Sequence, residues 1–376
     1  MPTRLGASIV PIEGLAASAY RVPTDAPESD GTIAWDSTTL VLVEAMAGGM
    51  TGVGYSYTDA SACGLIRGVL AKAVEGSDAL APASSWMKME REVRNVGRDG
   101  IAATAISAVD VALWDLKAKL LGVALTTLLG RVCEAAPVYG SGGFTSYSIG
   151  RLKEQLGGWA AAGMKFVKMK IGTHPADDLG RIRAAREAIG PGVQLFVDAN
   201  GAYSRKQALA MAEKFVGLDV AWFEEPVSSD DLEGLRLMRD RAPACMEIAA
   251  GEYGYDLTYF RRMVEAGAVD VLQIDATRAG GITGFLRAAA AAESFGLPVS
   301  AHCAPTLHAP LGCAWPDFRH LEYFHDHDRV EHMLFDGAPT PEGGKLRPDP
   351  SRPGLGIDFR RRDAERYQVD GGGRSR

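Results

Sequence analysis

Residues 195–226 read LFVDANGAYSRKQALAMAEKFVGLDVAWFEEP. The apolar run Leu195-Phe196-Val197 closes on Asp198, and Asn200-Gly201 supplies a turn. RKQALAMAEKF follows as an amphipathic stretch, and a second apolar run, Val220–Phe223, closes on Glu224, Glu225 and Pro226. Strand, turn, helix and strand in that order make one parallel βα unit. The same rhythm extends both ways. PVYGS (137–141) and FVKMKIG (166–172) lie upstream, and MEIAAGE (246–252), DVLQIDA (270–276), LPVSAHC (297–303) and RHLEYF (319–324) downstream. Eight strands alternating with helices predict an α/β fold closed into a barrel. In such barrels the residues at the C-terminal strand ends face the active site.

The residues at those ends are chemically selective. Asp198, Glu224 and Glu252 close three consecutive strands. Three hard oxygen donors without Cys or His suit Mg²⁺. Any one of them is equally explained as a salt bridge at a βα junction; three in register are not. Strand alternation makes Glu224 the ligand and turns Glu225 to the outside as a support. Lys168 and Lys170 are two apart in a strand and share a face. Mutual repulsion and a nearby dication would lower the pKa of Lys170 and make it a base, although a K-x-K pair alone also fits a solvated strand end. Asp275 and His302 close two neighbouring strands, and a carboxylate on one imidazole nitrogen raises the basicity of the other. Asn200 could bond a substrate hydroxyl or simply serve the N-G turn. Glu322 ends the last strand, where it could meet a substrate carboxylate or form a rim salt bridge. Asp110, Asp115 and the remaining histidines read as structural or surface residues.

Residues 1–130 lack the barrel rhythm. TTLVLVEAMA (38–47), GGMTGVG and YSYT predict a β-hairpin, and residues 20–36, polar with Pro and Gly, predict a loop long enough to be a lid. Ile101, Ala105, Ala108, Ala112, Leu116 and Leu120 share one helical face, with Asp99 placed to cap its start and Gly122 to end it. The expected domains are an α+β cap at 1–130, completed by 330–368, a barrel at 131–329 and a frayed tail at 369–376. The stretch after Glu322 reads as loop packing back on the cap.

The 376-residue chain carries a net charge of -7 and a pI of about 5.6, which argues against nucleic acid as a partner. Its five cysteines, odd in number and without paired spacing, read as reduced thiols of a cytoplasmic protein. MPTRLGASIVPIEG has no long apolar region, so no secretory leader is expected, and no apolar run is of membrane-spanning length.

These motifs resemble the enolase superfamily and, within it, the mandelate racemase-like subgroup of the mandelate racemase/muconate lactonizing enzyme family. The resemblance covers nearly the whole chain. SAVDVALWDLKAKLLG resembles the cap helix; VKMKIG, VDAN, FEEP, GE, QIDATRAGGITGF, SAH and HLEYF resemble the barrel signatures in order. It implies a modified TIM barrel, (β/α)₇β, with an N-terminal α+β capping domain and an essential Mg²⁺ held by Asp198, Glu224 and Glu252. It implies Lys170 as the base on one face, with Lys168 beside it, His302 with Asp275 as the base on the other, and Glu322 bonded to the substrate carboxylate. Asp275, where other subgroups have Lys, argues against muconate lactonizing or dipeptide epimerisation. Glu252 departs from the glucarate dehydratase pattern, which has an amide there.

The implied chemistry is abstraction of the proton α to a carboxylate through an enediolate. Polar residues in the arm (Thr24, Asp25, Glu28, Ser29, Asp30), after the hairpin (Tyr55, Ser56, Tyr57) and after the first barrel strand (Ser141, Thr145, Ser146, Tyr147) favour a hydroxylated substrate, hence acid-sugar dehydration. Trp35 and Phe144 keep a racemase or epimerase of a 2-hydroxy acid as the alternative, and a catalytically silent barrel is a further one. Asn200, Tyr55 and Trp35 are the expected substrate contacts. The expected partner is a small-molecule carboxylate, with assembly as a homo-oligomer.

Overall fold

The computed structural model describes residues 9–369. The leader reading on residues 1–8 and the tail from residue 370 lie outside the described residues. Val369 is described, and its N–H donates to the Ala19 carbonyl.

Three antiparallel strands open the chain: β1 (Gly14–Ser29), β2 (Ala34–Ala47) and β3 (Met50–Tyr57). Gly48 and Gly49, both at positive φ, make the tight β2–β3 turn. The expected lid loop over 20–36 is a correction: most of it is strand. β1 and β2 stay paired from Gly14/Met46 to Ser29/Ala34, with a register shift between Pro23 and Glu28. The bulge absorbs the Pro and polar residues that read as loop. The result is a β-arm whose tip reaches the barrel. There the Thr145 and Thr173 hydroxyls donate to the Asp30 carbonyl.

The Ile101–Leu120 helix lies across the hairpin. It starts at Gly100 with φ 70° and no side-chain cap, so the expected cap by Asp99 is not made, whereas Gly122 ends it at φ 67°. Helix and hairpin approach closely because β3 is glycine-rich on that face. A Cβ on Gly54 would lie 2.3 Å from the Ala112 nitrogen. Gly54→Ala is therefore expected to destabilise the protein by about 1–3 kcal/mol, the usual cost of overpacking, measured as a shift in the chemical denaturation midpoint. Asp110 and Asp115 are structural as read. Asp110 accepts from the Thr283 backbone and hydroxyl, and Asp115 from the Val53 and Leu355 backbones, tying the cap helix to the barrel and the C-terminal segment.

All eight expected barrel strands form: β4 (Ala136–Gly142), β5 (Phe166–Lys170), β6 (Gln194–Asp198), β7 (Val220–Glu224), β8 (Glu247–Ala250), β9 (Val271–Ile274), β10 (Val299–Ala301) and β11 (Phe318–Phe324). They pair in chain order, all parallel, and β11 closes on β4. Alternation divides each strand. Val167, Met169, Leu195, Val197, Leu272 and Ile274 pack in the main core with the surrounding helices. Tyr139, Phe196, Trp222, Ala249 and Val271 form a separate cluster inside the barrel. His320 sits among these rings, its pKa driven down to about 3 by burial, so it is a neutral packing residue. The aromatic plug fills the barrel below the next inward residues, which are the polar strand ends.

The stretch after Glu322 contains a helix, His325–Leu334, instead of the expected loop. Beyond it the chain returns to both other parts. Lys345–Leu346 pairs with β4, and Arg361 bonds Glu44 of β2.

Candidate functional site

The β5 lysines rise from the aromatic plug into a field of carboxylates. Lys168 is fully buried, donates to Glu224, and lies 2.8 Å from Glu322 Oε1 and 3.3 Å from Asp198 Oδ2. Lys170 Nζ is 2.5 Å from the same Asp198 oxygen. Among the protein's own groups, the direction of the Lys170 pKa is opposite to the lowering expected beside a dication. Burial does act to lower it, but Asp198, with Glu252 and Glu322, outweighs burial and the repulsion of Lys168, so the net direction is up. Reciprocally, burial acts to raise Asp198, but Lys170 and Lys168 hold it down at about 2.

Asp198, Glu224 and Glu252 each present an oxygen, and these lie within 4.8 Å of one another. All three side chains are buried. Glu252 arrives by a backbone device. β8 ends at Ala250, and Gly251, at φ 135°, swings the next residue inward. A Cβ on Gly251 would meet the Gln273 carbonyl oxygen at 2.2 Å, so only glycine fits. Glu225 is a second correction. Its φ of 39° breaks the alternation after β7, its side chain is buried, and the carboxylates of Glu252, Asp198 and Glu224, after burial itself, push its pKa up. It is near enough to feel the charge of the trio, and it lines a neighbouring cavity with Asn200, Tyr253 and Tyr259. The trio fits a hard dication: every donor is oxygen, and Glu252 Oε2 is buried with no hydrogen-bond partner.

Across the barrel, His302 Nδ1 lies 2.8 Å from Asp275 Oδ2. A carboxylate acceptor there places the hydrogen on Nδ1 and leaves the Nε2 lone pair toward the cavity. Burial acts to raise Asp275, but His302 and Arg278 hold its carboxyl well below the usual range. His302 Nε2 is 3.4 Å from Glu252 Oε2, so the imidazole borders the carboxylate trio. Glu322 is buried at the top of β11, accepting from Ser141 Oγ at 2.6 Å and from the Cys303 backbone at 3.0 Å.

Lys170, Asn200, Glu252 and His302 line one cavity of about 210 Å³. The β-arm roofs it with Asp30, Ile33, Trp35, Ser37 and Thr38. Trp35 is held by its Nε1–H on Glu28 and edge-on against Phe144. Asn200, at φ 46°, keeps a buried Oδ1 without a partner. Tyr55 is elsewhere. Its hydroxyl donates to Glu331 at 2.8 Å and its ring packs on Phe335, so the expected substrate contact is corrected to a structural role. Of the polar residues expected from the arm, only Asp30 lines the cavity; Asp25 pairs with Arg151 and His325.

Among the lining residues that escaped the sequence reading are Tyr253, Arg278, Cys303 and His327. Arg278 pairs with Glu252 and Asp275, and its place in DATRAGG three residues after Asp275 was a usable signal. His327 stacks on Tyr57 at 3.4 Å and accepts from the Ala304 backbone through Nδ1. Burial lowers its pKa, so it presents a neutral Nε2–H.

A closed parallel barrel capped by an antiparallel sheet, with acids, lysines and a histidine at its mouth, is the architecture of the enolase superfamily. The chain belongs to the mandelate racemase/muconate lactonizing enzyme family: residues 18–130 match its N-terminal domain and residues 151–364 match the enolase C-terminal domain-like family. It is an enzyme of that superfamily, of the lyase or isomerase type. It is similar to a 3,6-anhydro-alpha-L-galactonate cycloisomerase from Streptomyces coelicolor, 31% identical over 93% of this chain and 98% of that one. A solved mandelate racemase/muconate lactonizing enzyme-like protein from Rubrobacter xylanophilus is 56% identical with a TM-score of 0.94, covering 96% of this chain and 100% of that one. A mutant L-talarate/galactarate dehydratase from Salmonella typhimurium, solved with Mg and L-glucarate, has a TM-score of 0.89 at 28% identity over 98% of this chain and 95% of that one.

Proposed function

We propose that this enzyme removes the proton α to the carboxylate of an acid sugar and expels a β-hydroxyl, yielding a 2-keto acid. The observation that carries the reading is the meeting, in one cavity bordered by Glu252, of Lys170 from the second barrel strand and His302 from the end of the seventh, the latter held by Asp275 from the end of the sixth. Two proton-transfer groups on different sides of one small acid are what stepwise elimination needs. Asp198, Glu224 and Glu252 would hold Mg²⁺, the ion found in the dehydratase solved with L-glucarate. When bound, it supplies Lewis-acid charge stabilisation and relieves the carboxylate pull that keeps Lys170 protonated.

The chain's own groups divide the rest. Lys168, held positive by Glu224 and Glu322, stabilises negative charge developing on the substrate carboxylate. Lys170 or His302 takes the α-proton; His302, oriented by Asp275 and carrying on Nε2 either that proton or one taken up from solvent beforehand, protonates the departing hydroxyl, which leaves as water. Glu322 borders the substrate carboxylate. Asn200, Asp30, Thr38 and Arg278 give the cavity polar contacts for further hydroxyls, which favours a polyhydroxylated acid. Racemisation or epimerisation of a 2-hydroxy acid is the second reading. It is favoured by the same two bases and by the apolar patch of Ile33, Trp35 and Phe324.

The test is a panel of acid sugars incubated with Mg²⁺ and assayed for 2-keto acid. Formation from at least one member is expected; interconversion of stereoisomers without keto acid would select the second reading. We further propose action in the reducing cytoplasm, supported by thiols at Cys133, Cys245, Cys303 and Cys313 that form no disulfide. Among the described residues no helix is long and apolar enough to cross a membrane.

A further inference from the structure

We propose that His302 Nε2, Cys303 Sγ and Glu322 Oε2 form a second cation site in the cavity wall, selective for a thiophilic divalent ion such as zinc. The three atoms make a nearly regular triangle: Nε2 to Sγ 3.2 Å, Sγ to Oε2 3.3 Å, and Nε2 to Oε2 3.6 Å. Tetrahedral zinc with bonds of about 2.0 Å to N and O and about 2.3 Å to S separates its ligands by roughly 3.3–3.5 Å. The triangle therefore needs little movement to close on the ion.

Backbone and surroundings both support it. Adjacent strand residues face opposite ways, yet Cys303 and His302 converge. Cys303 at φ 52° and Ala304 at φ 39° are consecutive non-glycine residues in the left-handed region, and they fold the thiol back onto the imidazole. Such strain gathers at functional sites. The outer shell is complete: Asp275 accepts from Nδ1 at 2.8 Å, fixing the tautomer that presents Nε2. The Cys303 N–H donates to Oε2 at 3.0 Å, and Ser141 and Lys168 hold Oε1. All three ligand side chains are buried, while His302 and Cys303 line the cavity, so a fourth position opens toward water or a substrate oxygen.

Ligand softness separates this site from the all-oxygen trio. Burial and the Glu322 charge keep the thiol protonated, so the entering ion forms the metal–sulfur bond as the S–H proton passes to solvent. The bound ion would occupy the Nε2 lone pair and so inhibit turnover. That consequence rests on His302 being a base; the binding itself does not.

The test uses the full chain with Mg²⁺ in excess to fill the oxygen trio, titrated with Co²⁺ as a spectroscopic stand-in for zinc. One equivalent should bind with near-ultraviolet sulfur-to-cobalt charge-transfer absorption. Cys303→Ser should abolish that absorption, and Cys133→Ser and Cys245→Ser, at exposed thiols, should keep it. Asp275→Asn should weaken binding about 10–100-fold. Absence of the band, or its survival in Cys303→Ser, overturns the proposal. A second measurement needs no variant: zinc-edge anomalous diffraction from wild-type crystals grown with both ions. A peak about 2.3 Å from Cys303 Sγ is expected; zinc found only among Asp198, Glu224 and Glu252 overturns the proposal. Neither result depends on which acid the enzyme turns over.

Discussion

Glu224→Gln is expected to abolish turnover and weaken Mg²⁺ binding while the barrel stays folded. Glu224 is fully buried on β7 between the other two carboxylates, accepting from Trp222 Nε1 at 2.9 Å and from Lys168. Glutamine keeps the shape and the Trp222 bond but removes the charge. Lys168 remains paired with Glu322 at 2.8 Å and Asp198 at 3.3 Å, so no buried ammonium is stranded. Affinity for Mg²⁺ should fall by more than the roughly 10–100-fold typical of losing an outer-shell partner. Losing several kcal/mol of charge stabilisation corresponds to a rate drop of about 10³-fold or more. Calorimetric titration with Mg²⁺ and circular dichroism check the two halves. Full wild-type activity after EDTA treatment would contradict the metal's role altogether.

The second large effect is at the opposite base. His302→Asn should lower product formation by about 10²–10⁴-fold, the usual worth of a positioned proton donor. Lys170 should still exchange the α-proton of a suitably configured acid with solvent deuterium. Asp275→Asn should act in the same direction, because it disturbs the tautomer of the same imidazole across the 2.8 Å bond. For a racemase, His302→Asn would instead block exchange from one enantiomer only. Full activity in both mutants would refute the proposed mechanism in either form and leave the fold and carboxylate trio standing.

The barrel was legible because each strand is a short apolar run closed by a polar residue. That pattern is what burial on both faces and a site at the C-terminal end require. Asp198, Lys170 and His302 follow from it directly. Glu225 did not, since alternation fails where its φ turns positive, and a sequence carries no mark of that unless the residue is glycine. Glu252 was found because it closes the apolar run of MEIAAGE, although the structure shows that the turn at Gly251 is what brings it inward. The His325–Leu334 helix was missed because its buried face is built from Asp326, His327, Val330, Glu331 and Leu334. The helical spacing is present, but most of the face is polar, and hydrophobic periodicity is silent there. The β-arm was misread for a related reason: a bulge tolerates the prolines and acids that otherwise signal a loop. Its tip nevertheless brings Trp35 and Asp30 over the cavity, so the position of the lid was legible where its conformation was not.

The central claim is that Lys170 and His302 serve one α-carbon. It is tested most directly by incubating the enzyme with Mg²⁺ and each acid-sugar stereoisomer in D₂O, and following C2 by NMR. The account predicts loss of the C2 proton signal for a turned-over acid, accompanied by 2-keto acid. It further predicts that the exchange disappears in the Lys170→Ala/His302→Asn double mutant and on removal of the metal. Exchange that persists at the wild-type rate in the double mutant would contradict it.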